Sequence, residues 1–268
     1  MIKLVRLPKL PRFASATTTT TTRLYHSTDH IGTNTIINPN LIESKVLTRA
    51  IDYIPQYGFH PKTISKAIHD LDYPDSLILV FTTSPSGYSL SMQLMLFWLK
   101  LKRQELEYFA KDKIAIETNA DAIATNTASA GTSEGDKLKQ LIKYRLQLNT
   151  PIKSQLSQGL SQLIVPYNIS ASLEELLQLG DDIAYYAGDK SNDFAWYLKR
   201  AAICGIYVKS ELFMLQDQTA DSQLTNQFVD SKVDDFVAMG QGFSNVEQWI
   251  EFNAFGLVNL IKSQLARG

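Results

Sequence analysis

Apolar residues from Leu41 onward recur at three- and four-residue spacing, and this periodicity constrains the fold more than any other feature. It is the period of amphipathic α-helices, whereas no convincing two-residue alternation is bounded by turn residues as strands require. With 268 residues, 44% of them hydrophobic, the chain is long enough to bury a substantial core. The sequence therefore predicts an all-α single domain over residues 41–268, built from about ten helices.

Capping and turn residues set the expected helix boundaries. Pro151 suits the opening turn of a helix that ends before Pro166. Ser172 with Glu175 matches a capping box, and Gly188 suits a left-handed stop. The predicted helices cover residues 46–56, 62–71, 75–81, 88–113, 137–149, 151–165, 172–187, 192–216, 222–239 and 245–266.

Residues 117–136 interrupt the helical pattern. They are rich in Ala, Thr, Asn and Gly and contain no large apolar residue except Ile123, so they bury too little to offset the entropy of ordering. We expect a mobile loop here. It would separate a front unit and long helix, residues 41–115, from a ligand- and partner-binding bundle, residues 137–240, which an amphipathic helix at 244–267 follows.

The first 28 residues are basic and rich in hydroxyl side chains. They contain no acidic residue, and they hold Lys3, Arg6, Lys9, Arg12 and Arg23. This composition is typical of a disordered mitochondrial transit peptide. A disordered surface tail with no targeting role is the alternative.

Charge and cysteine content exclude several function classes. The formal net charge is −1, so composition gives no electrostatic pull toward nucleic acid. A single cysteine, Cys204, excludes an internal disulfide framework and a cysteine-based zinc cluster, which favours a reducing compartment. We expect Cys204 to be a buried small residue within a helix.

Residues 47–59, followed by a second helix from Lys62, resemble the amino-terminal helices of TetR-type regulators. The third helix of that family reads DNA. The matching stretch here, residues 72–81, contains no Lys or Arg, and none occurs between Lys66 and Lys100. The resemblance thus implies a TetR-like fold without DNA binding, because nothing is present to neutralise phosphates. A TetR-type DNA-binding regulator is kept as the alternative function, and an unrelated three-helix bundle as the alternative structure.

The helix predicted from residue 192 combines an apolar face with a mixed stripe. At 100° per residue, one face holds Phe194, Leu198, Ala201, Val208 and Leu212, and we expect it to be core. The neighbouring stripe mixes large aromatics with charged residues: Asp193, Trp196, Tyr197, Arg200, Cys204, Tyr207, Glu211 and Met214. Such mixtures suit a protein interface. Alternatively, Trp196 and Tyr207 are core, Asp193 complements the helix dipole and Arg200 is solvated.

Four segments, residues 181–189, 193–201, 205–207 and 211–217, resemble the lipid-binding accessory family of mitochondrial ubiquinone biosynthesis. The resemblance extends over about residues 41–238. It implies a non-catalytic protein whose helix docks the di-iron hydroxylase that acts on demethoxyubiquinone. The positions assigned to partner binding are Asp193, Trp196, Tyr197, Arg200 and Tyr207.

The acidic pair Asp181 and Asp182 has no histidine nearby, since all four histidines precede residue 70. A metal site is therefore not expected. Helix-surface hydrogen bonding is the expectation for both carboxylates.

Residues 245–266 form a broad apolar arc that is too polar to span a bilayer comfortably. The resemblance implies a helix that lies in a membrane interface. A buried bundle helix or a dimerisation helix is an equal alternative. The residues assigned to lipid or membrane contact are Trp249, Phe252, Phe255, Val258 and Met214.

Catalytic motifs are absent from the sequence. It contains no nucleophile elbow, no phosphate-binding glycine motif, no His-Glu-x-x-His helix and no Glu-x-x-His pair. We expect no enzymatic activity and no cofactor, and an uncharacterised hydrolase is a third hypothesis.

Taken with these features, the resemblance implies a peripheral protein on the matrix side of the inner membrane, with an interior hollow that takes up a polyprenyl quinone intermediate as its ligand. Its expected partners are the hydroxylase, the ubiquinone-synthesis complex and the membrane surface. No nucleic-acid partner is expected, and a homodimer is left open.

Overall fold

The computed structural model of the chain describes residues 37–83, 87–114, 133–189 and 194–240. All regular elements in these ranges are helical, which confirms the predicted all-α class. The TetR-like arrangement stays a prediction with which the helices are compatible. The α-helices are α1 (Ile42–Ile51), α2 (Ile54–Tyr57), α3 (Pro61–Asp70), α4 (Ile78–Thr82), α5 (Leu90–Phe109), α6 (Glu134–Gln147), α7 (Lys153–Ile164), α8 (Ile169–Ala187), α9 (Phe194–Gln216) and α10 (Gln223–Gly240).

Side-chain caps begin two of the helices that frame the core. Ser89 accepts a hydrogen bond from the Met92 amide at 3.2 Å at the start of α5. Ser133 accepts one from the Asp136 amide at 3.1 Å, so α6 begins at Glu134, earlier than the expected residue 137. Pro151 lies in a 3₁₀ turn, Thr150–Ile152, that leads into α7, as its position in the sequence predicts.

The start of α8 differs from the expected capping box. The helix begins at Ile169, and Ser172 lies inside it, where its hydroxyl donates to the carbonyls of Asn168 at 2.9 Å and Leu163 at 3.0 Å. Glu175 is buried beside Arg103. The capping-box prediction was wrong because an ion pair from another helix places Glu175 in the interior. The predicted stop is confirmed, since Gly188 has a φ of 96° and ends α8 in the left-handed conformation.

The helices pack around one continuous core. Helix α1 packs on α3, α5 contacts both of them, and α7 and α8 pack on α5. On the other side, α9 packs along α8, while α6 and α10 close the bundle. Six of the fully buried residues at its centre are Ile54, Leu94, Leu106, Leu141, Leu156 and Ile183.

The third segment of the front unit is short and apolar. A 3₁₀ turn at Asp75–Leu77 leads into the five-residue α4, where Leu79 and Val80 are exposed. In a TetR-type regulator this position would present the DNA-reading helix. Here it presents no cation, so the described structure adds no support for DNA binding.

Candidate functional site

A cavity of about 490 Å³ lies between α5, α7, α8 and α9. Its volume falls in the range of about 300–1,000 Å³ that is usual for small-molecule sites. Most of its wall is aliphatic, with Leu160, Leu163, Leu176, Val208, Leu212 and Leu215 among the lining residues. A hollow with mainly aliphatic walls, which the sequence interpretation requires, is therefore present.

The cavity reaches the surface near the loop between α7 and α8. Val165 and Leu173 line the cavity and are also solvent-exposed, by 41% and 48%. Tyr167, in the same loop, is exposed as well. Residues that both line a cavity and meet solvent mark its rim, so the mouth is apolar on the side of this loop. Ser157 and Ser161 also line the cavity and are exposed, and they give the rim a polar edge on α7.

A buried hydrogen-bond network lies deeper in the cavity wall. Arg145 Nη1 donates to Asn149 Oδ1 at 3.0 Å, and Asn149 Nδ2 donates to Glu211 Oε1 at 2.7 Å. The Tyr207 hydroxyl donates to the same Glu211 oxygen at 2.8 Å. Burial raises the pKa of Glu211 and of Tyr207, while Arg145 opposes both shifts. The network ties α6 to α9 and gives the cavity a polar end.

A second charged group on the same wall is centred on Arg103. Its Nη1 lies 3.4 Å from Glu175 Oε1, and its Nε lies 3.3 Å from Asp182 Oδ2. Gln178 accepts a hydrogen bond from Nη1. Burial raises the pKa of Glu175, and the positive charge of Arg103 counteracts this shift. The expectation that Asp182 is a helix-surface group was wrong, because Arg103 pairs with it in the interior.

Arg200 forms the third buried cluster, between α8 and α9. Its Nε donates to Asp181 Oδ1 at 2.6 Å and its Nη1 donates to Asp189 Oδ2 at 2.9 Å. Lys199 donates to the other oxygen of Asp189 at 2.8 Å. The surface prediction for Asp181 and the alternative of a solvated Arg200 were therefore both wrong. No group of metal ligands occurs in the described part of the chain.

Two aromatic residues continue this cluster to the surface. The Arg200 guanidinium carbon lies 3.9 Å from the centroid of the Trp196 ring. The Trp196 ring in turn packs edge-on against Tyr197, with centroids 4.6 Å apart. Tyr197 is 63% exposed and Trp196 is partly buried, so neither is sealed inside the core. Partner binding by these residues stays a prediction.

The other assigned residues have different surroundings. Tyr207 is buried and lines the cavity, and Met214 is buried in the core. Cys204 is buried as expected, with its thiol donating to the Leu176 carbonyl at 3.2 Å, and burial raises its pKa to about 12. The remaining residues assigned to partner, lipid or membrane contact lie outside the described residues: Asp193, Trp249, Phe252, Phe255 and Val258.

The burial of the two faces of α9 differs from the sequence prediction. Ala201 is exposed, and Leu198, Val208 and Leu212 are only partly buried. The buried side is the mixed stripe, with Arg200, Cys204, Tyr207, Glu211 and Met214. The predicted core face was wrong because carboxylates and an amide from other helices satisfy the polar members of the stripe inside the protein.

The walls that α5, α7 and α8 give to the cavity were not predicted from the sequence. Apolar residues at 160, 163 and 164 and at 173, 176 and 179 recur at helical spacing, which is also the pattern of an ordinary core face. Their spacing alone does not distinguish a packed wall from an open one. The available signal was the presence of two arginines, Arg103 and Arg145, within otherwise amphipathic helices.

None of the helices in the ranges described is long and apolar enough to cross a membrane.

The fold and the site define an all-helical protein with an apolar cavity and a buried charged end. The model of the COQ9 family matches residues 169–240, which form α8, α9 and α10. The chain is 31% identical to "Ubiquinone biosynthesis protein COQ9, mitochondrial" of Saccharomyces cerevisiae over 233 residues, 84% of each chain. It is 32% identical to the Eremothecium gossypii protein of that name, over 84% of this chain and 86% of the relative. The chain is 30% identical to the Schizosaccharomyces pombe relative, over 82% of this chain and 79% of the relative.

The chain belongs to the COQ9 family. This membership assigns it to ubiquinone biosynthesis, and the relatives compared are named mitochondrial. The predicted resemblance to an accessory family of that pathway is therefore confirmed.

Proposed function

We propose that the chain is a non-catalytic lipid-binding protein of ubiquinone biosynthesis. In this proposal it takes a polyprenyl quinone intermediate into the cavity between α5, α7, α8 and α9 and presents it to the di-iron hydroxylase acting on demethoxyubiquinone. The observation that carries the proposal is the cavity itself, which combines aliphatic walls with a buried polar end. An isoprenoid tail and an oxygenated ring require the same combination.

The physical basis of lipid uptake is desolvation. Each methylene that leaves the bilayer loses about 0.8 kcal/mol of apolar burial, so the tail moves only into another apolar environment. The wall residues Leu160, Leu163 and Leu212 offer that environment. The apolar rim formed by Val165 and Leu173 gives the tail a continuous path from a membrane surface.

We propose that α9 takes part in presenting the lipid to the hydroxylase, because this helix lines the cavity and also carries aromatic residues near the surface. Tyr207, Val208 and Leu212 line the cavity, while Trp196 and Tyr197 lie toward the other end of the helix. Tyr207 follows Trp196 by eleven residues, which is about 16 Å along the helix axis at 1.5 Å per residue. A partner bound to the aromatic pair would therefore sit within a short distance of the cargo.

A location on the matrix side of the inner membrane, bound peripherally, belongs to the same proposal. It is supported by the mitochondrial relatives and by the exposed residues Val165, Tyr167 and Leu173 around the mouth. Aromatic and aliphatic residues of this kind insert into the interfacial layer of a bilayer.

The chain itself is proposed to perform no chemical step. Its buried carboxylates in the cavity wall, Glu175 and Glu211, lie beside or hydrogen-bond to other protein groups. The thiol of Cys204 is buried with a raised pKa, and such a thiol is a poor nucleophile. The partner would carry the iron.

Lipid binding is tested with a cavity-filling variant, Leu212→Trp, and a matched control, Leu224→Trp, at an exposed position on α10. Lipid that co-purifies with each protein is quantified by mass spectrometry, and binding of a fluorescent farnesyl probe is titrated. We expect the wild type and the control to carry isoprenoid lipid and the variant at Leu212 to carry less, since an indole in the wall narrows the space for the tail. A folded wild-type protein that carries no isoprenoid and does not bind the probe would overturn the proposal.

A further inference from the structure

Three buried side-chain polar atoms in the described part of the chain have no hydrogen-bond partner. They are Arg103 Nε, Arg145 Nε and Glu175 Oε1. All three residues line the same cavity, and each is more than nine-tenths buried. Buried polar groups are nearly always paired, so three orphans around one hollow indicate a ligand that supplies the missing bonds.

The neighbouring groups are already engaged. Arg145 Nη1 donates to Asn149, and Glu211 Oε1 accepts from both Asn149 and Tyr207. Arg103 lies within ion-pair distance of Glu175 and Asp182, at 3.4 Å and 3.3 Å, but without hydrogen-bond geometry to either. The buried atoms that lack a hydrogen bond are therefore two N–H donors, on Arg103 and Arg145, and one carboxylate oxygen, on Glu175.

These orphans lie on the buried part of the cavity wall. Helices α8 and α9 run antiparallel, because Asp181 pairs with Arg200 while Leu176 contacts Cys204. Glu175 is six residues beyond Ile169, about 9 Å along α8 from the loop that forms the mouth. A tailed ligand whose tail points to the mouth would therefore place its head against the orphans.

We propose that Arg103, Arg145 and Glu175 form a head-ring subsite that selects an isoprenoid ligand whose ring carries a free hydroxyl group, as in a phenol or hydroquinone. This inference rests on the proposed function. A hydroxyl group donates to the Glu175 carboxylate and accepts from an arginine N–H at the same time. Carbonyl and ether oxygens only accept, so a quinone or a methylated ring leaves Glu175 unsatisfied.

The selection has a consequence for the pathway step that the protein serves. The ligand that fits is the reduced or not fully methylated ring, so the quinone intermediate of the proposed function would bind in its reduced, hydroquinone form, and an oxidised ring is held less tightly. The reaction that consumes the bound cargo would thus act on a hydroxyl-bearing ring, and oxidation or O-methylation of that hydroxyl would favour release.

The test uses three redox-inert probes with the same tail: 4-decylphenol, 4-decylanisole and decylbenzene. Their affinities for the full-length protein are measured by displacement of a fluorescent farnesyl probe. We expect the phenol to bind about tenfold more tightly than the anisole, since a hydrogen bond to a charged group has about that effect. This ratio is measured on the wild type and does not depend on the folding of a variant.

Two variants locate the effect. Glu175→Met should reduce the phenol-to-anisole ratio to within about twofold, whereas Glu174→Met, at the exposed neighbouring position, should keep the wild-type ratio. Equal binding of all three probes to the wild type would overturn the subsite and leave lipid binding intact. Absence of binding by every probe would overturn the proposed function as well.

Discussion

The guanidinium group of Arg200 lies 3.9 Å from the centroid of the Trp196 ring, measured from its central carbon. Its nitrogens are held at the same time by Asp181 on the neighbouring helix and by Asp189 just after that helix, at 2.6 Å and 2.9 Å. The aromatic residue therefore rests on a cation that two buried carboxylates fix in place. This arrangement restricts Trp196 before any partner binds, and a preorganised residue loses less entropy on binding.

Arg200→Ala removes the guanidinium from two buried carboxylates and is expected to reduce the free energy of unfolding by about 3–5 kcal/mol. Arg200→Lys should be less harmful, because it keeps the charge but cannot engage both carboxylates as a planar fork. Urea unfolding measures both values. The control is Lys232→Ala, which breaks an exposed pair with Asp235 and should change stability by less than about 1 kcal/mol. Equal losses for Arg200→Ala and the control would contradict the buried-cluster interpretation.

Docking of the hydroxylase is tested with two tyrosines of nearly equal exposure. Tyr197 is 63% exposed beside Trp196, and Tyr108 on α5 is 62% exposed. Tyr197→Lys and Trp196→Lys are expected to weaken hydroxylase binding at least about tenfold, as hot-spot residues do, while Tyr108→Lys leaves it unchanged. Surface plasmon resonance gives the affinities, and circular dichroism checks that helical content is unaltered. Unchanged binding by both α9 variants would count against the docking surface.

Close packing of α8 on α9 gives a third prediction. A Cβ at Gly180 would clash with Cys204 Sγ and lie 3.3 Å from the Arg200 carbonyl oxygen. Gly180→Ala should therefore destabilise the protein by about 1–3 kcal/mol. Combining it with Cys204→Ala should recover part of this loss, as a positive coupling in a double-mutant cycle of unfolding free energies.

The matched control for this cycle is Gly205→Ala. No atom lies within 4 Å of a Cβ at Gly205, so this substitution should be neutral or stabilising in the helix. Strictly additive effects of Gly180→Ala and Cys204→Ala would show that the sulfur is not the obstacle.

Asp217 gives the chain an acid-sensitive contact at the start of α10. Burial acts to raise the pKa of Asp217, but hydrogen bonds from Thr219 and Thr225 outweigh it and lower the pKa below its ordinary value of 3.8. A depressed pKa means that the ionised form stabilises the fold. This contribution is fully present above pH 3.8 and is lost as the pH falls toward the folded value.

The variant Asp217→Asn should lose about 1 kcal/mol at neutral pH and show a flatter decline in stability below about pH 4. Thermal unfolding between pH 7 and acidic conditions measures the two profiles. Asp235→Asn, at an exposed position on α10, should follow the wild-type profile. Parallel profiles for Asp217→Asn and the wild type would show that this carboxylate does not set the acid response.

The local features of the fold were predictable from sequence, and the long-range pairings were not. Helical spacing, Pro151 at a helix start and Gly188 at a helix end depend on neighbours in the chain, and the structure confirms them. Ser172 and Glu175 also match a local rule, the capping box. Arg103, far away in sequence, instead pairs with Glu175 in the interior. A local pattern cannot anticipate such competition.

The candidate site shows the same division. The stripe on α9 is unusual because Trp196, Tyr197 and Arg200 occur together, and its composition predicts a protein interface. The burial of Arg200 depends on Asp181 and Asp189, whose position opposite Arg200 is a property of how α8 and α9 pack. The hollow itself reflects how well the helices fill space, and helical periodicity carries no information on that.

Helix α9 runs without interruption from Phe194 to Gln216, so a displacement at one end is transmitted to the other. Trp196 and the cavity-lining Leu212 therefore lie on one continuous helix. If a bound lipid shifts this helix and a bound enzyme prefers the shifted position, the lipid and the enzyme must each change the affinity for the other by the same factor. Lipid binding in the cavity and enzyme binding at Trp196 would then be coupled through α9, without a moving loop between the two sites.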